Sequence, residues 1–248
     1  MRLGVFITGT DTGVGKTLVA AGILRWLRNE GVDAAPMKPV QTGAEKRGSE
    51  LVAQDLEFCL NAAGMHPGHE EVRLMSPFLY EPACSPHLAG RMAVRVGGRY
   101  PEIPEILRCA DELLLRHRAV IVEGAGGIMA PLNEKETTLE LIQALGLPVV
   151  LVSRAGLGAI NHALLSIRAL HDSGLELAGI VLNRAVPSTP EDRFIEEDNP
   201  RAIAHFGSVR VLGDVEFMGG DLGNQAAWDR FETEMPGLRF IGQLVDRR

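Results

Sequence analysis

The stretch GTDTGVGKT, residues 9–17, constrains this chain more than any other. It follows a short apolar run, LGVFIT (3–8), rich in strand formers. It precedes TLVAAGILRWLRNEG (17–31), where Leu18, Ala21, Leu24 and Leu27 recur at helical spacing and Gly31 stops the pattern. Strand, glycine turn and helix in succession aim backbone N–H groups and the positive end of the helix at one point, which suits a phosphate. Lys16 adds a full charge for the β- and γ-phosphates, and the Thr17 hydroxyl can ligate Mg²⁺. The strict pattern G-x-x-x-x-G-K-[ST] asks for glycine at position 10, where this chain has Thr10, with Gly9 just before it. GVGKT itself is intact, so Gly13, Val14, Gly15, Lys16, Thr17 and Leu18 are the expected nucleotide-binding residues.

The rest of the chain repeats the alternation. AAPMKPV (34–40), AVIVEGAGG (119–127), PVVLVS (148–153) and LAGIVLNR (177–184) read as short apolar strands. NHALLSIRALHDSG (161–174) is a helix between the last two, and SELVAQDLEFCLNAAG (49–64) is a helix opened by Ser49 and stopped by Gly64. Continuously apolar strands alternating with helices predict an α/β fold of the P-loop NTPase type: a mostly parallel sheet with helices on both faces. Residues 65–105 and 186–200 are expected to be irregular. No repeat or linker divides the chain, so residues 1–217 read as one domain, with 218–248 as a C-terminal extension packed on it.

Two carboxylates single themselves out. Asp55 shares the apolar stripe of positions 51, 52, 56, 59, 60 and 63, where an unpaired charge is costly, so it needs a cation. A buried Asp paired with Arg would meet that need as well as a metal. Glu123 ends the run AVIV at the carboxyl edge of a strand, the edge where open α/β sheets bind ligands, and Gly124, Gly126 and Gly127 leave room beside it. With Thr17 they make an oxygen set for Mg²⁺. Lys38, in KPVQTG (38–43), sits at another strand end, where it can bracket a phosphate with Lys16.

Other function classes fall away. The net charge of −7, with no Lys/Arg block, argues against nucleic acid. No apolar run approaches the roughly 18 residues of a membrane span. MRLGVFITG carries no cleavable signal pattern, which points to the cytoplasm. Cys59, Cys84 and Cys109 are far apart, suggesting neither a zinc ribbon nor a disulfide framework.

GTDTGVGKT, KPVQTG, the Asp55 helix, EPACSPHLAG (81–90), VEGAGG (122–127), GLGAINHALL (156–165) and LAGIVLN (177–183) occur in an order and spacing that resembles the dethiobiotin synthetases, over residues 3 to 217. The resemblance implies ATP-driven closure of a cyclic urea on 7,8-diaminononanoate with CO₂, by way of a carbamate and a mixed carbamic–phosphoric anhydride. It implies Lys16 and Thr17 on phosphates and metal, and Asp55 and Glu123 as the other metal ligands. Thr12, Lys38 and Thr42 would serve the carbamate and γ-phosphate region, with Gly126 beside the phosphates and Asn183 at the adenine. It also implies a homodimer in which Gly158, Ala159, Ile160 and Asn161 bind the substrate carboxylate across the interface. His162 reads as a helix-surface or core residue.

Two departures from the family pattern stand out: Gly13 replaces a glutamate that some members carry, and Glu216 replaces a common proline. The rival reading is a partitioning-type switch ATPase. Its second loop lysine would fall at position 11, which is Asp11 here. RFIGQLVDRR (239–248) could imitate such a protein's membrane-binding tail, but reads better as a final element packed on the core. An amide-forming synthetase would need a glutaminase domain for which there is no room.

Overall fold

The structure, a computed structural model, describes residues 2–219 and 222–245. The chain begins with β1 (Gly4–Gly9), the glycine loop and α1 (Lys16–Asn29), followed by β2 (Ala34–Met37) and β3 (Val40–Thr42). A hairpin of β4 (Glu45–Arg47) and β5 (Glu50–Val52) leads to α2 (Gln54–Ala62), α3 (His69–Met75), β6 (Phe78–Tyr80), α4 (Pro86–Val94) and α5 (Ile103–Arg116). Strands and helices then alternate: β7 (Ala119–Gly127), α6 (Thr138–Leu145), β8 (Val149–Arg154), α7 (Ala159–Asp172), β9 (Leu177–Asn183), α8 (Arg193–Gly207) and β10 (Val211–Val215). The last elements are α9 (Gln225–Glu234) and α10 (Leu238–Val245).

The main sheet has the order β2-β7-β1-β8-β9-β10, with every neighbouring pair parallel. Parallel neighbours require crossovers, and their right-handedness assigns each helix a face. The chain steps from β1 outward to β2, which puts α1 on one face. It then returns through β7 and moves to β8, β9 and β10, which puts α5, α6, α7 and α8 on the other. The reversal at β1 opens a crevice at the carboxyl ends of β1, β7 and β8, where such folds bind ligands.

One helix cannot cover six strands. On the α1 face the gap is closed by α2 against α1, by α9 against α1 and β10, and by α10 against α1 and β1. Phe231 of α9 is buried over Gly22 of α1, where an added Cβ would lie 2.1 Å from the ring. Ile241, Leu244 and Val245 of α10 are buried too, and Phe240 is partly buried against the core. Glu216 has a use that a proline could not fill: its N–H donates to Glu234 of α9 at 2.9 Å.

Several sequence expectations need correction. The helix expected over 49–64 begins at Gln54, and Ser49 caps nothing. Gly48, with φ of 66°, turns a hairpin that pairs Glu45 with Val52 and Arg47 with Glu50, so positions 51 and 52 belong to a strand. AAPMKPV is two strands in different sheets, broken at Lys38 and Pro39. The supposedly irregular residues 65–105 hold α3, β6, α4 and the start of α5, and α8 begins inside 186–200. Proline misled there: it opens α4 and lies in the first turn of α5, where its missing N–H costs nothing. Of the tail expected over 239–248, the last three residues lie outside the described residues.

At the opposite edge of the sheet, His117 after α5 joins Asp33 before β2 at 3.0 Å and Glu71 of α3 at 2.5 Å. Burial pulls its pKa down, but the hydrogen bonds and charges of Glu71 and Asp33 outweigh burial and raise it above 6.5. A base with a raised folded pKa stabilises fully below its unfolded pKa, and that contribution is lost as pH rises through the folded value. His117→Gln should therefore cost about 2 kcal/mol near pH 6. The difference from wild type in urea denaturation should shrink steadily towards pH 9. A pH-independent difference would show that the imidazole is not the charged partner.

Candidate active site

The loop is anchored on both sides of β1. Thr10 donates its N–H to Val152 of β8 at 2.9 Å and its hydroxyl reaches Ser153 at 3.5 Å, so the residue that breaks the strict pattern ties the loop to the sheet. Gly15 is the N-cap of α1 at φ 97°, and no side chain caps that helix. Its first N–H groups are left for an anion. A Cβ on Gly15 would lie 2.1 Å from Nδ2 of Asn183, which donates to the Val14 carbonyl at 3.0 Å and braces the loop from behind. Asn183 was expected to donate and accept at a base edge. One of its two N–H donors is given to the loop, and the buried Oδ1 has no partner.

Four charges meet beside the loop. The Lys38 ammonium lies 2.6 Å from Glu123 Oε1 and 2.7 Å from Asp55 Oδ2. Thr17 donates its hydroxyl to the same Glu123 oxygen at 2.9 Å. Lys16 folds back on its loop and donates to the Asp11 carbonyl at 2.8 Å. Local structure explains each placement. Glu123 stands opposite Ile7 in the β1–β7 register, at the end of the buried run. Asp55 is in the first turn of α2, where the helix dipole favours a carboxylate. Lys38 occupies the break between β2 and β3, its N–H held by the Met75 carbonyl at 2.7 Å and its carbonyl by the Ser76 hydroxyl at 2.8 Å.

The two ammoniums are perturbed in opposite senses. Burial lowers Lys16 to about 8, helped by the Lys38 charge and only partly countered by Glu123, Asp55 and Asp11. Burial also opposes the charge on Lys38, but Glu123 and Asp55 overcome it and its pKa is raised.

These groups line a cleft of about 970 Å³, together with Thr12, Gly13, Gly15, Thr42 and Gly126. The expected set is not all there. Val14 is buried behind the loop, and the Leu18 side chain packs against the hydrophobic core, so only its backbone can face a nucleotide. Gly158, Ala159, Ile160 and Asn161 open α7 outside the walls of this cleft, as Asn183 also lies outside them. The Ala159 N–H is already bonded to the Gly156 carbonyl at 3.1 Å, which leaves Ile160 and Asn161 as the donors of that turn. His162 is exposed on α7.

Sequence reasoning missed two parts of the wall. Gln41 is buried with Oε1 unpartnered, and Ala83–Pro86 of EPACSPHLAG line the cleft beside it. The motif was the available signal, but nothing in its composition named a role. A larger groove of about 1420 Å³, between α2, α3 and α5, contains none of the loop residues.

The donors suit a hard cation. Thr17, Asp55 and Glu123 offer oxygen alone, and Glu123 Oε2 is buried without a partner, an acceptor awaiting a positive charge. Among the described residues no three His, Cys, Asp or Glu side chains form a ligand cluster, so a metal here would draw the rest of its shell from water and phosphate.

A family model described as an AAA domain matches residues 3–224. The ATP-dependent dethiobiotin synthetase BioD of Anaeromyxobacter dehalogenans (strain 2CP-C) is 44% identical over 184 residues, covering 74% of this chain and 78% of that protein. The protein of the same name from Pseudomonas paraeruginosa is 41% identical, covering 85% and 88%. That from Anoxybacillus flavithermus is 35% identical, covering 91% and 96%.

The depressed Lys16 pKa makes the loop lysine a liability to the fold. A lysine held at about 8 instead of 10.5 weakens the native state at all pH values below 8. Lys16→Met should stabilise the protein by about 2 kcal/mol at pH 7, an order-of-magnitude figure from the shift less the lost bond to Asp11. The gain should fade between pH 8 and 10, and turnover should fall by about a thousandfold or more. Equal melting temperatures for the two proteins at pH 7 would show that the ammonium is not strained.

Proposed function

The chain belongs to the dethiobiotin synthetase family, and from that premise we propose that it uses ATP to close a cyclic urea on 7,8-diaminononanoate with CO₂, giving dethiobiotin, ADP and phosphate. The observation that carries the reading is the meeting of Lys16, Thr17, Lys38, Asp55 and Glu123 around one cleft at the end of β1.

The chemistry runs in three balanced steps. One amine adds to CO₂, forming an N–C bond and losing a proton, to give a carbamate. A carbamate oxygen attacks the γ-phosphorus, ADP leaves, and a mixed carbamic–phosphoric anhydride results. The second amine attacks the anhydride carbon, the C–O bond to phosphate breaks, and the ring closes with loss of a proton.

Uncapped N–H groups of α1 and the Lys16 ammonium hold the phosphates and meet the charge that grows on the β–γ bridge. Lys38, with Thr12 and Thr42, positions the carbamate and the transferring phosphoryl group. Gly126 turns the chain beside the loop at φ 69°, where a side chain would be strained and its Cβ would crowd Ala130 at 3.1 Å. Mg²⁺, when bound by Thr17, Asp55 and Glu123, neutralises phosphate charge. Asn183 holds the loop's shape and turns Oδ1 to the base. The Ile160 and Asn161 N–H groups take the substrate carboxylate of a partner subunit, which makes the working enzyme a homodimer. Residues 1–217 form the ligase domain in this reading, and the C-terminal extension packs on it through α9 and α10. We also place the protein in the cytoplasm; no helix among the described residues is long and apolar enough to cross a membrane.

The partitioning-type switch finds no support at position 11. Asp11 accepts from the Thr12 N–H at 2.7 Å and from Arg154 at 2.8 Å, the reverse of a signature lysine's charge.

A ligase holds ATP idle until its acceptor arrives, because the attacking group is the carbamate and not water. Phosphate release should rise sharply only when diaminononanoate and bicarbonate are both present, with the cyclic urea detected by mass. Release that ignores the diamine would favour the switch. Lys38→Ala should lower turnover by about a hundredfold or more while weakening ATP binding much less. Asp55→Asn and Glu123→Gln should each raise the Mg²⁺ needed for activity, and the double variant should be less than additive. In sedimentation, activity should follow the dimer; a fully active monomer would exclude the shared carboxylate site.

A further inference from the structure

Lys38 and the proposed metal want the same oxygens. We propose that Lys38 is a built-in counter-cation for Asp55 and Glu123, so that a divalent ion enters only by displacing it, and binds with the nucleotide rather than before it. This rests on the reading of Thr17, Asp55 and Glu123 as metal ligands.

Three observations lead there. First, Glu123 Oε1 receives both the Thr17 hydroxyl and the Lys38 ammonium, and Asp55 Oδ2 completes the pair of contacts to Lys38. Second, the cluster is balanced: two ammoniums, Lys16 and Lys38, face two carboxylates, and Lys16 and Glu123 are both buried. A dication arriving alone would leave two surplus positive charges among groups withdrawn from water, which is strongly unfavourable. Phosphates brought in at the same time supply the missing negative charge and give the displaced ammonium a new partner. Third, the Lys38 backbone is held at Met75 and Ser76 and followed by Pro39, so the motion falls to the flexible side chain alone.

Coupling of this kind is reciprocal: nucleotide tightens metal by the factor by which metal tightens nucleotide. Lys38 sets the size of that factor. Without its charge, the two carboxylates would lack their cation and accept a metal unaided.

The test measures Mn²⁺ binding by electron paramagnetic resonance, and thermal unfolding with and without Mg²⁺, on the full chain. Wild type should bind Mn²⁺ alone weakly and about tenfold or more tightly with a non-hydrolysable ATP analogue. Lys38→Met, which keeps the apolar stem, should bind Mn²⁺ alone about tenfold more tightly than wild type. Its melting temperature should fall without metal and recover in Mg²⁺, whereas Mg²⁺ alone should leave wild type unmoved. If the variant folds only when refolded with Mg²⁺, and not in NaCl of equal ionic strength, the proposal is supported; failure in both counts against it. Asp55→Asn and Glu123→Gln separate the two readings. Unchanged Mn²⁺ binding with the analogue in both would remove the metal site and the proposal with it. Weakened binding there, with no gain of Mn²⁺ alone in Lys38→Met, would overturn the proposal and leave the metal site standing.

Discussion

The constraint behind this site is the cost of holding Lys16, Lys38 and Glu123 close together and out of water, with the half-buried Asp55 beside them. No single element could bear it. The groups come from four places: the start of α1, the break after β2, the first turn of α2 and the end of β7. Each place supplies something that regular backbone would not. A glycine loop frees N–H groups, a proline-marked break turns Lys38 off the strand, a helix terminus favours Asp55, and a rigid central strand fixes Glu123. If any one shifted, a partly buried charge would lose its counter-charge, at a cost of several kcal/mol.

That precision depends on β1 being immovable, and much of the chain serves this end. β1 lies between β7 and β8 with helices on both faces. The topology leaves the α1 face short of cover because the chain crosses to that side from β1 only once. The two last helices make up the deficit. Phe231 fits where α1 has Gly22, and an alanine at 22 would drive the two helices apart. So Gly22, about a turn and a half beyond the phosphate loop, and a ring near the end of the chain jointly set how α1 presents its N-terminus.

The sheet and the loop were legible in the sequence because continuous apolar strands and glycine punctuation are local signals. AVIVEGAGG is one strand over the residues read for it, and LAGIVLN is another. Asp55 and Glu123 were singled out from placement alone, and the structure sets both against the Lys38 ammonium, although positions 51 and 52 of the supposed stripe lie in a strand. What stayed hidden was non-local. Nothing near position 38 shows that its ammonium meets Asp55 and Glu123, since the three are brought together only by the parallel pairing of β2 with β7 and the docking of α2. Asn183 was read as facing a ligand, yet its donor faces the Val14 carbonyl, a contact between residues 169 apart in sequence. The hairpin at 45–52 was lost for a different reason: its apolar residues continue the helical pattern of α2, and only Gly48 marks the turn.

The chain carries a net charge of −7, yet the nucleotide proposed for its cleft is itself multiply negative. Long-range attraction cannot be the source of affinity. At physiological salt the Debye length is about 8 Å, so the distant acidic residues are largely screened from a nucleotide in the cleft. What remains is short-range: the uncapped N–H groups of α1 and the ammoniums of Lys16 and Lys38 that line the cleft. Such contacts demand a small, well-placed anion and offer little to an extended one. An acidic surface offers an extended polyanion no favourable field, and the charges inside the cleft are balanced, so selectivity for a small anion comes from the geometry of its donors rather than from net field.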